Sequence, residues 1–340
     1  MKLKLFISLT YLFFSIDTLI AQKQYPLDLS RSQSFNSDWK FKRGDQINAE
    51  SPSFDDSKWR PVDLPHDWSI EDLPNQSVKE GIIGPFSRES RPGNGYTVGG
   101  YGWYRKTFVL NNAESKNVEI RFDGVYMASD VFINGHFLGE HPYGYTPFQY
   151  KIDSYLKKDG SQNVLAVRIK NRGSNTRWYS GSGIYRDVEL TITNKIAIRD
   201  NETKILTQLV NPSKATVTVS SVFKNYTGVA EDVNLKYTII RKGKEVASFS
   251  QKGINLVDTI HRQAKIEVSN PELWDLETPN LYTARLELLD KNNNTVLDKN
   301  DIEFGIRTIS VSPESGFLLM ENGLFYVEVV YIMIMVLSVL

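Results

Sequence analysis

The sequence predicts an all-β protein made of two consecutive antiparallel sandwiches. Short segments in which apolar and polar residues alternate are separated by turn residues roughly every 8–12 positions, a spacing typical of β-sandwiches. No stretch of comparable length keeps the period of about 3.6 residues that marks an amphipathic helix. The dipeptide Asn134-Gly135 lies between two hydrophobic runs and predicts a two-residue hairpin, because both residues accept positive φ.

The first unit contains four segments with strong alternation. Every second residue of a strand points to the same face of its sheet, so the apolar members of each segment are expected to face one core. They are Val118, Ile120 and Phe122; Val131 and Ile133; Leu165, Val167 and Ile169; and Val188, Leu190 and Ile192.

A second unit begins where the density of aromatic residues and glycines falls, between Asn194 and Asp200. It runs to about Arg307, somewhat more than 100 residues, which is the size of an immunoglobulin-like sandwich. Lys242-Gly243-Lys244 supplies one of its turns, and Trp274 is expected to fill its core. Its alternating residues are Val217, Val219, Leu235, Tyr237, Ile239, Ile266, Val268, Tyr282, Ala284, Leu286 and Leu288.

The composition excludes several classes of function. The 340 residues include 40 basic and 40 acidic ones, so no overall charge favours nucleic acid as a partner. There is no cysteine, which excludes disulfides and thiol catalysis. The four histidines are scattered without ligand spacing, so we predict no metal and no other cofactor. His66-Asp67 is interpreted as a structural pair rather than a metal or acid/base site.

The N-terminus has the three parts of a secretory signal peptide over residues 1–21. Lys2 and Lys4 precede an apolar run from Leu5 to Ile16, and Ala21 is a small residue suited to cleavage. The run is short for a membrane span. We therefore expect export to the periplasm or the extracellular space.

The C-terminal residues from Leu324 to Leu340 are almost all apolar, interrupted by Glu328 and Ser338. Only 12 residues follow Glu328, fewer than the about 20 that a transmembrane helix needs. Two interpretations remain open: a membrane anchor, or a truncated or frame-shifted terminus that was not selected to fold.

A series of short motifs occurs in one order along the chain. They are Trp39 and Phe41, Phe54 to Ser57, Leu64 to Ile70, Gly100 to Lys106, Phe122 to Tyr126, Asp130 to Gly135, Asn171, Arg177 to Arg186, Pro271 to Trp274, Pro279 to Tyr282, and Phe304 to Arg307. Each is weak alone, but the ordered set resembles the N-terminal, non-catalytic part of glycoside hydrolase family 2, the β-galactosidase and β-glucuronidase family.

This resemblance implies a jelly-roll sugar-binding domain over residues 25–195 and an immunoglobulin-like sandwich over 196–310. Residues 316–340 would be the beginning of a (β/α)8 catalytic barrel. Such a barrel needs roughly 250 residues, so the resemblance implies a chain truncated before it. Both catalytic glutamates of the family would then lie beyond this sequence. We assign no catalytic residue and expect the chain alone to be inactive.

The resemblance also implies where a sugar would be contacted. In the family the loop equivalent to Ser174 to Tyr185 reaches towards the active-site mouth, which makes Asn175, Arg177 and Trp178 the candidate substrate-binding residues. Arginine offers a planar set of donors to hydroxyls, and tryptophan offers a face to a pyranose. Alternatively, Arg177 and Trp178 seat the barrel against the sandwich. Further aromatic residues suited either to sugar stacking or to the core are Tyr101, Trp103, Tyr126, Tyr145 and Tyr185.

The function implied is that of a fragment of a β-galactosidase-like hydrolase. Its partner would be a carbohydrate with a terminal β-linked hexose or hexuronate, and a homo-oligomer is left open. The alternative from another class is a stand-alone exported carbohydrate-binding or surface protein, held by its hydrophobic C-terminus.

Overall fold

The computed structural model describes residues 31–71, 98–172, 180–199, 201–211, 213–292, 295–320 and 322–323. These residues form two β-sandwiches, which confirms the predicted all-β class, a jelly-roll sandwich followed by an immunoglobulin-like one. Across these ranges the only helical element is one 3₁₀ turn at Trp68–Ile70, and no helix could cross a membrane. The predicted signal peptide and the apolar C-terminal segment lie outside the described residues.

The first sandwich pairs a four-stranded sheet, in the order β1-β10-β5-β8, with a six-stranded sheet, in the order β3-β2-β4-β9-β6-β7. Its strands are β1 (Ser32–Ser34), β2 (Trp39–Arg43), β3 (Arg60–Val62), β4 (Gly100–Asn111), β5 (Lys116–Phe122), β6 (Ser129–Ile133), β7 (His136–His141), β8 (Phe148–Lys151), β9 (Asp159–Asn171) and β10 (Val188–Asn194).

The alternating residues of the first unit point into one core, as predicted. Ile120 on β5 lies opposite Leu190 on β10, and both are fully buried. Cross-strand pairs of this kind are the main stabilising unit of a sheet. Asn134 and Gly135 join β6 to β7 with φ of 50° and 82°, which confirms the predicted two-residue turn.

The outer face of the six-stranded sheet is covered by the connection between β2 and β3. Trp59 and Ala49 from this connection pack with Trp103 and Ala166 of the sheet. Arg105, only 2% exposed, donates from Nε to Asp56 Oδ2 over 2.8 Å and from Nη1 to the carbonyl of Ala49. A buried arginine of this kind needs such partners, so Arg105 fixes the covering segment to the sheet.

The second sandwich pairs β15-β14-β17-β18 with a sheet of β11, β12, β13 and β16. A small three-stranded sheet, β19-β20-β21, follows it. The strands are β11 (Ile196–Ile198), β12 (Lys204–Asn211), β13 (Lys214–Asn225), β14 (Glu231–Arg241), β15 (Lys244–Leu256), β16 (Thr259–Ser269), β17 (Tyr282–Asp290), β18 (Val296–Phe304), β19 (Ile309–Ser312), β20 (Gly316–Leu319) and β21 (Asn322–Gly323).

Trp274 does not fill the core of the second sandwich, so that expectation is wrong. Its ring is half-buried and lies against Gly305, where an added Cβ would come within 2.6 Å of the indole. The guanidinium of Arg307 lies 4.6 Å from the ring centroid. Trp274 therefore covers the end of the sandwich. It lies outside the core because the chain around it forms an isolated bridge to Pro279 rather than a core strand.

Buried polar contacts join the two sandwiches. Arg199 donates to Glu119 Oε1 over 3.0 Å, and Tyr226 donates to the same oxygen over 3.0 Å. Burial and, to a lesser extent, the nearby carboxylate of Glu119 raise the pKa of Tyr226 to about 12. Arg31 bonds to the buried Asp298. These contacts fix the second sandwich against the end of the first.

Candidate functional site

The segment Ser180–Arg186 lies at one end of the first sandwich and is fixed on both of its sides. On one side, His66 N donates to Ile184 O over 2.8 Å and Trp68 N donates to Ser182 O over 3.0 Å. On the other side, Tyr126 and Gly183 exchange two backbone hydrogen bonds of 2.9 Å. The backbone therefore has the hydrogen bonds of a strand although the segment belongs to neither main sheet.

The side chain of Asp67 fixes the same segment from below. One carboxylate oxygen, Oδ1, accepts from Ser182 N over 2.7 Å and from Ser69 N over 2.8 Å. A Cβ added to Gly181 would lie 2.2 Å from the other oxygen, Oδ2. Gly183 has φ of +144°, and a Cβ there would lie 2.2 Å from His66 O. The Gly-Ser-Gly sequence is therefore required by close packing against Asp67 and its neighbours.

Asn171, at the end of β9, holds the segment from the sheet side. Its Nδ2 donates to Ser182 Oγ over 2.7 Å and to Gly181 O over 3.2 Å. Ser182 Oγ in turn donates to the carbonyl of Val98 over 3.3 Å. Asn171 and Ser182 are both buried. Asn171 thus fixes Gly181 and Ser182 to the end of β9.

Four tyrosines, Tyr126, Tyr143, Tyr145 and Tyr185, form a cluster beside this segment. Tyr145 meets Tyr126 edge to face at 5.2 Å between ring centroids and meets Tyr143 at 5.6 Å. Tyr185 donates its hydroxyl to the carbonyl of Gly144 over 2.8 Å. Aromatic rings prefer such edge-to-face packing, so the tyrosine cluster holds the loop between Tyr143 and Tyr145 against Ser180–Arg186.

The outer members of the tyrosine cluster face solvent. Tyr143 is 56% exposed and Tyr145 is 51% exposed, whereas Tyr126 beneath them is buried. Gly144 sits so close to Tyr126 that an added Cβ would lie 2.3 Å from the ring. Burial raises the pKa of Tyr145 and of Tyr185 above the usual value of 10.0, so both hydroxyls stay protonated at neutral pH. The surface offers aromatic faces and neutral hydroxyls.

His66 is a structural residue of the turn that supports the segment. Tyr104 Oη lies 2.5 Å from Nδ1, and Nε2 lies 2.8 Å from Glu71 Oε1 and 3.1 Å from Arg60 Nη2, so both ring nitrogens have partners within the fold. Burial lowers the pKa of His66. Among the described residues no group of three or more ligating side chains could hold a metal ion.

The predicted sugar contacts Asn175, Arg177 and Trp178 lie outside the described residues. The structure places the flanking Ser180 in a buried position, and Arg172 donates to Tyr101 Oη over 2.6 Å.

Two of the aromatic residues considered for sugar stacking have other roles. Trp103 is 2% exposed, stacks on Phe132 and donates to Asp45 over 3.1 Å, so it is a structural residue. The guanidinium groups of Arg168 and Arg172 lie 4.9 and 5.1 Å from the ring centroid of Tyr101.

Sequence reasoning missed Tyr143. Its signal was the Tyr143-Gly144-Tyr145 pattern, because a glycine between two tyrosines indicates a turn that exposes both rings.

The comparisons with known proteins agree with this architecture. The sequence profile of the sugar binding domain of glycosyl hydrolases family 2 matches residues 33–194, and the profile named glycosyl hydrolases family 2 matches residues 196–307. The β-galactosidase BoGH2A of Bacteroides ovatus is 40% identical over 295 residues, covering 85% of this chain and 33% of that protein. A β-glucuronidase of Formosa agariphila is 27% identical over 308 residues, covering 84% of this chain and 30% of that protein.

A solved structure shows the same arrangement. The crystal structure of a glycosyl hydrolase family 2 member from Bacteroides cellulosilyticus aligns with a TM-score of 0.80 at 40% identity, over 87% of this chain and 38% of that one. The chain thus spans about a third of the length of the relatives it matches. With both profiles matched in order and the fold shared, this chain belongs to glycosyl hydrolase family 2, of which it contains the sugar-binding and immunoglobulin-like domains.

Proposed function

We propose that this chain supplies one wall of the saccharide site of a family 2 glycosidase, formed by the tyrosine cluster and the segment Ser180–Arg186. The observation that carries the proposal is the exposure of Tyr143 and Tyr145 above a buried, fixed Tyr126. Binding of a sugar costs less conformational entropy when the aromatic rings that contact the sugar are already held in place by the fold. Exposed tyrosines combine an apolar face for sugar C–H groups with a hydroxyl for hydrogen bonding.

The substrate class we propose is a terminal β-linked hexose or hexuronate. The names of the relatives, a β-galactosidase and a β-glucuronidase, support both sugars. Asn175, Arg177 and Trp178 remain contacts predicted from the resemblance to the family. The signal-like residues 1–21 support a site of action outside the cytoplasm.

We propose that the chain binds and positions a sugar rather than cleaving it. Retaining glycosidases use two carboxyl groups about 5–5.5 Å apart. The buried and partly buried carboxylates described here serve the fold instead: Asp56 accepts from Arg105, Asp130 from Lys170, Asp153 from Lys195 and Asp298 from Arg31. A carboxylate held by a structural cation is a poor nucleophile, so none of them is assigned a catalytic role.

Substitution of the exposed rings tests the proposal. Tyr145→Ala and Tyr143→Ala should each weaken binding of nitrophenyl β-galactoside or β-glucuronide by about 0.5–1.5 kcal/mol, the scale of a lost aromatic contact. Phe249→Ala is the matched control, because Phe249 is also a partly exposed ring, 38% exposed, but lies on the second sandwich. Titration calorimetry at millimolar ligand measures the difference.

Two results would contradict the proposal. Equal affinity of the tyrosine variants and the wild type for the sugar would show that the tyrosine cluster does not contact it. Turnover of the nitrophenyl substrates, abolished by a mechanism-based fluoro-sugar, would show that the chain has a nucleophile. Micromolar binding by this chain alone would instead favour the stand-alone carbohydrate-binding protein.

A further inference from the structure

A second cavity, the basic pocket, lies at the edge of the six-stranded sheet, away from the tyrosine cluster. Its volume is about 260 Å³, close to the lower end of the range for ligand sites. The side chains around it include Lys42, Arg43, Lys58 and Arg60, together with Phe41 and Trp68. Four cations therefore meet at one cavity in a chain whose formal net charge is zero.

The floor of the basic pocket is rigid. Phe41 and Trp68 are buried and stack at 5.5 Å between ring centroids with an interplanar angle of 24°. Phe41 on β2 pairs in register with Arg60 on β3, and the guanidinium of Arg60 lies 5.6 Å from the Phe41 ring centroid. Lys42 and Arg43 on β2 and Arg60 on β3 are thus carried by two paired strands, and Lys58 lies two residues before β3.

The charges around the pocket are not balanced. Glu71, which also lines it, accepts from Arg60 over 2.5 Å and compensates that one charge. Within the described ranges no carboxylate forms an ion pair with Lys42, Arg43 or Lys58. The hydrogen bonds that Asp55 accepts from Ser57 lower the pKa of Asp55, and the charge of Lys58 lowers it further. Because the Asp55 carboxylate is fully exposed to solvent, it does not neutralise Lys58. Three cations at the cavity therefore have no ion-pair partner among the residues that the structure describes.

We propose that the basic pocket binds the anionic group, sulfate or carboxylate, of an acidic saccharide. Charge-assisted hydrogen bonds from lysine and arginine are the strongest that an exposed site offers to such groups. A nucleic acid is the less favoured ligand, because 40 basic and 40 acidic residues give the chain no overall positive charge to attract a phosphate backbone. The basic pocket is separate from the tyrosine cluster: the turn from Leu64 to Trp68 lies between them, and a variant that abolishes binding at one site can leave binding at the other unchanged.

The test compares two double variants that remove the same charge. Arg43→Gln with Lys58→Gln alters the pocket, and Lys244→Gln with Lys265→Gln alters two exposed lysines of the second sandwich. The probes are a chondroitin sulfate hexasaccharide, the same hexasaccharide without sulfate, a neutral galacto-oligosaccharide, inorganic sulfate and a single-stranded oligonucleotide. Affinities are measured by titration at low and at physiological salt. The first two probes separate sulfate from carboxylate as the group recognised.

The wild type should bind at least one acidic hexasaccharide more tightly than the neutral one. The pocket variant should lose about tenfold in affinity for it, with a reduced salt dependence. The control variant should stay within about twofold. Because the substituted side chains are exposed, the melting temperature should not change; should the double variant fail to fold, Lys58→Gln alone gives the same comparison.

Other results would overturn the proposal. Unchanged affinity in the pocket variant would exclude the pocket, and an equal loss in the control variant would show only general charge attraction. Equal binding of the neutral oligosaccharide would remove the role of the anion. Binding of inorganic sulfate as tight as that of the hexasaccharides would show that the pocket recognises only the anion and not the saccharide. Tighter binding of the oligonucleotide would identify a different class of ligand.

Discussion

The two sandwiches have the same class of fold but are built in different ways. The first core contains seven buried aromatic side chains, the second only three. Glycines of the first sandwich lie against rings or carboxylates, as Gly102 does against Trp68 and Gly181 against Asp67. Glycines of the second sandwich mostly occupy open turns, as Gly228 and Gly243 do.

The difference shows where the protein is specialised. Close packing of glycines, rings and buried charges fixes irregular backbone at the end of the first sandwich, where the segment Ser180–Arg186 lies. The second sandwich relies on alternating aliphatic residues and on ion pairs at its surface, such as Arg285 with Asp301 over 2.7 Å. Binding residues are usually placed on loops held by a rigid scaffold. We therefore interpret the first sandwich as the functional domain and the second as its support.

The largest expected effect comes from Arg105. Arg105→Ala removes a buried guanidinium that bonds to Asp56 and to the carbonyls of Ala49 and Ser51, and it leaves Asp56 paired only with Lys40. The substitution should lower the free energy of unfolding by about 3–5 kcal/mol. Arg285→Ala, the control in the second sandwich, removes an exposed pair worth about 0.2–1 kcal/mol. Urea unfolding is followed by tryptophan fluorescence, which reports mainly on the first sandwich because five of the six tryptophans precede residue 179, and by far-UV circular dichroism, which reports on both sandwiches. Similar losses in both variants would contradict the comparison.

A smaller effect is expected from Asp67, which receives hydrogen bonds from the backbone at both Ser69 and Ser182. Asp67→Ala should cost about 1–3 kcal/mol and leave Ser182 N without its acceptor. Hydrogen exchange should accelerate in peptides covering Ser180–Arg186. Asp232→Ala, at an exposed carboxylate of the second sandwich, should leave that exchange unchanged. If exchange at Ser180–Arg186 is unaltered in Asp67→Ala, Asp67 does not hold the segment.

The smallest effect is a pH dependence due to His66. Burial lowers its pKa below the ordinary 6.5, so the unfolded chain takes up the proton more readily than the folded protein. The contribution of neutral His66 to the free energy of unfolding is therefore complete above pH 6.5, and it is lost as the pH falls through the lowered pKa of the folded protein. His66→Gln should reduce the slope of stability between neutral and mildly acidic pH. His261→Gln, at an exposed histidine of the second sandwich, should keep the slope of the wild type.

The regular parts of the fold could be predicted because their signal is local. Alternation predicted that Ile120 and Leu190 face the core, and the turn at Lys242 and Gly243 has φ of 51° and 76°. The same reasoning was wrong for Trp274, which covers the end of a sandwich. A large apolar side chain favours burial, but the sequence does not show which surface buries it.

The irregular parts could not be predicted because their partners are distant in sequence. Arg105 is a charged residue in a strand, and its burial depends on a covering segment about 50 residues earlier. Asp67 and Ser182 are separated by 115 positions, and the sequence around neither residue shows that the two residues meet. Motif order indicated the candidate segment, but the exposure of Tyr143 depends on how the Gly144 turn packs on Tyr126.

The most direct test of the account is hydrogen exchange of the chain with and without millimolar nitrophenyl β-galactoside or β-glucuronide. Contact of the sugar with the end of the first sandwich should slow exchange in peptides containing Tyr143 to Tyr145 and Ser180 to Arg186, with no change across the second sandwich from Ile196 to Arg307. Protection confined to the second sandwich, or none at saturating ligand, would contradict the claim that the sugar is contacted at the end of the first.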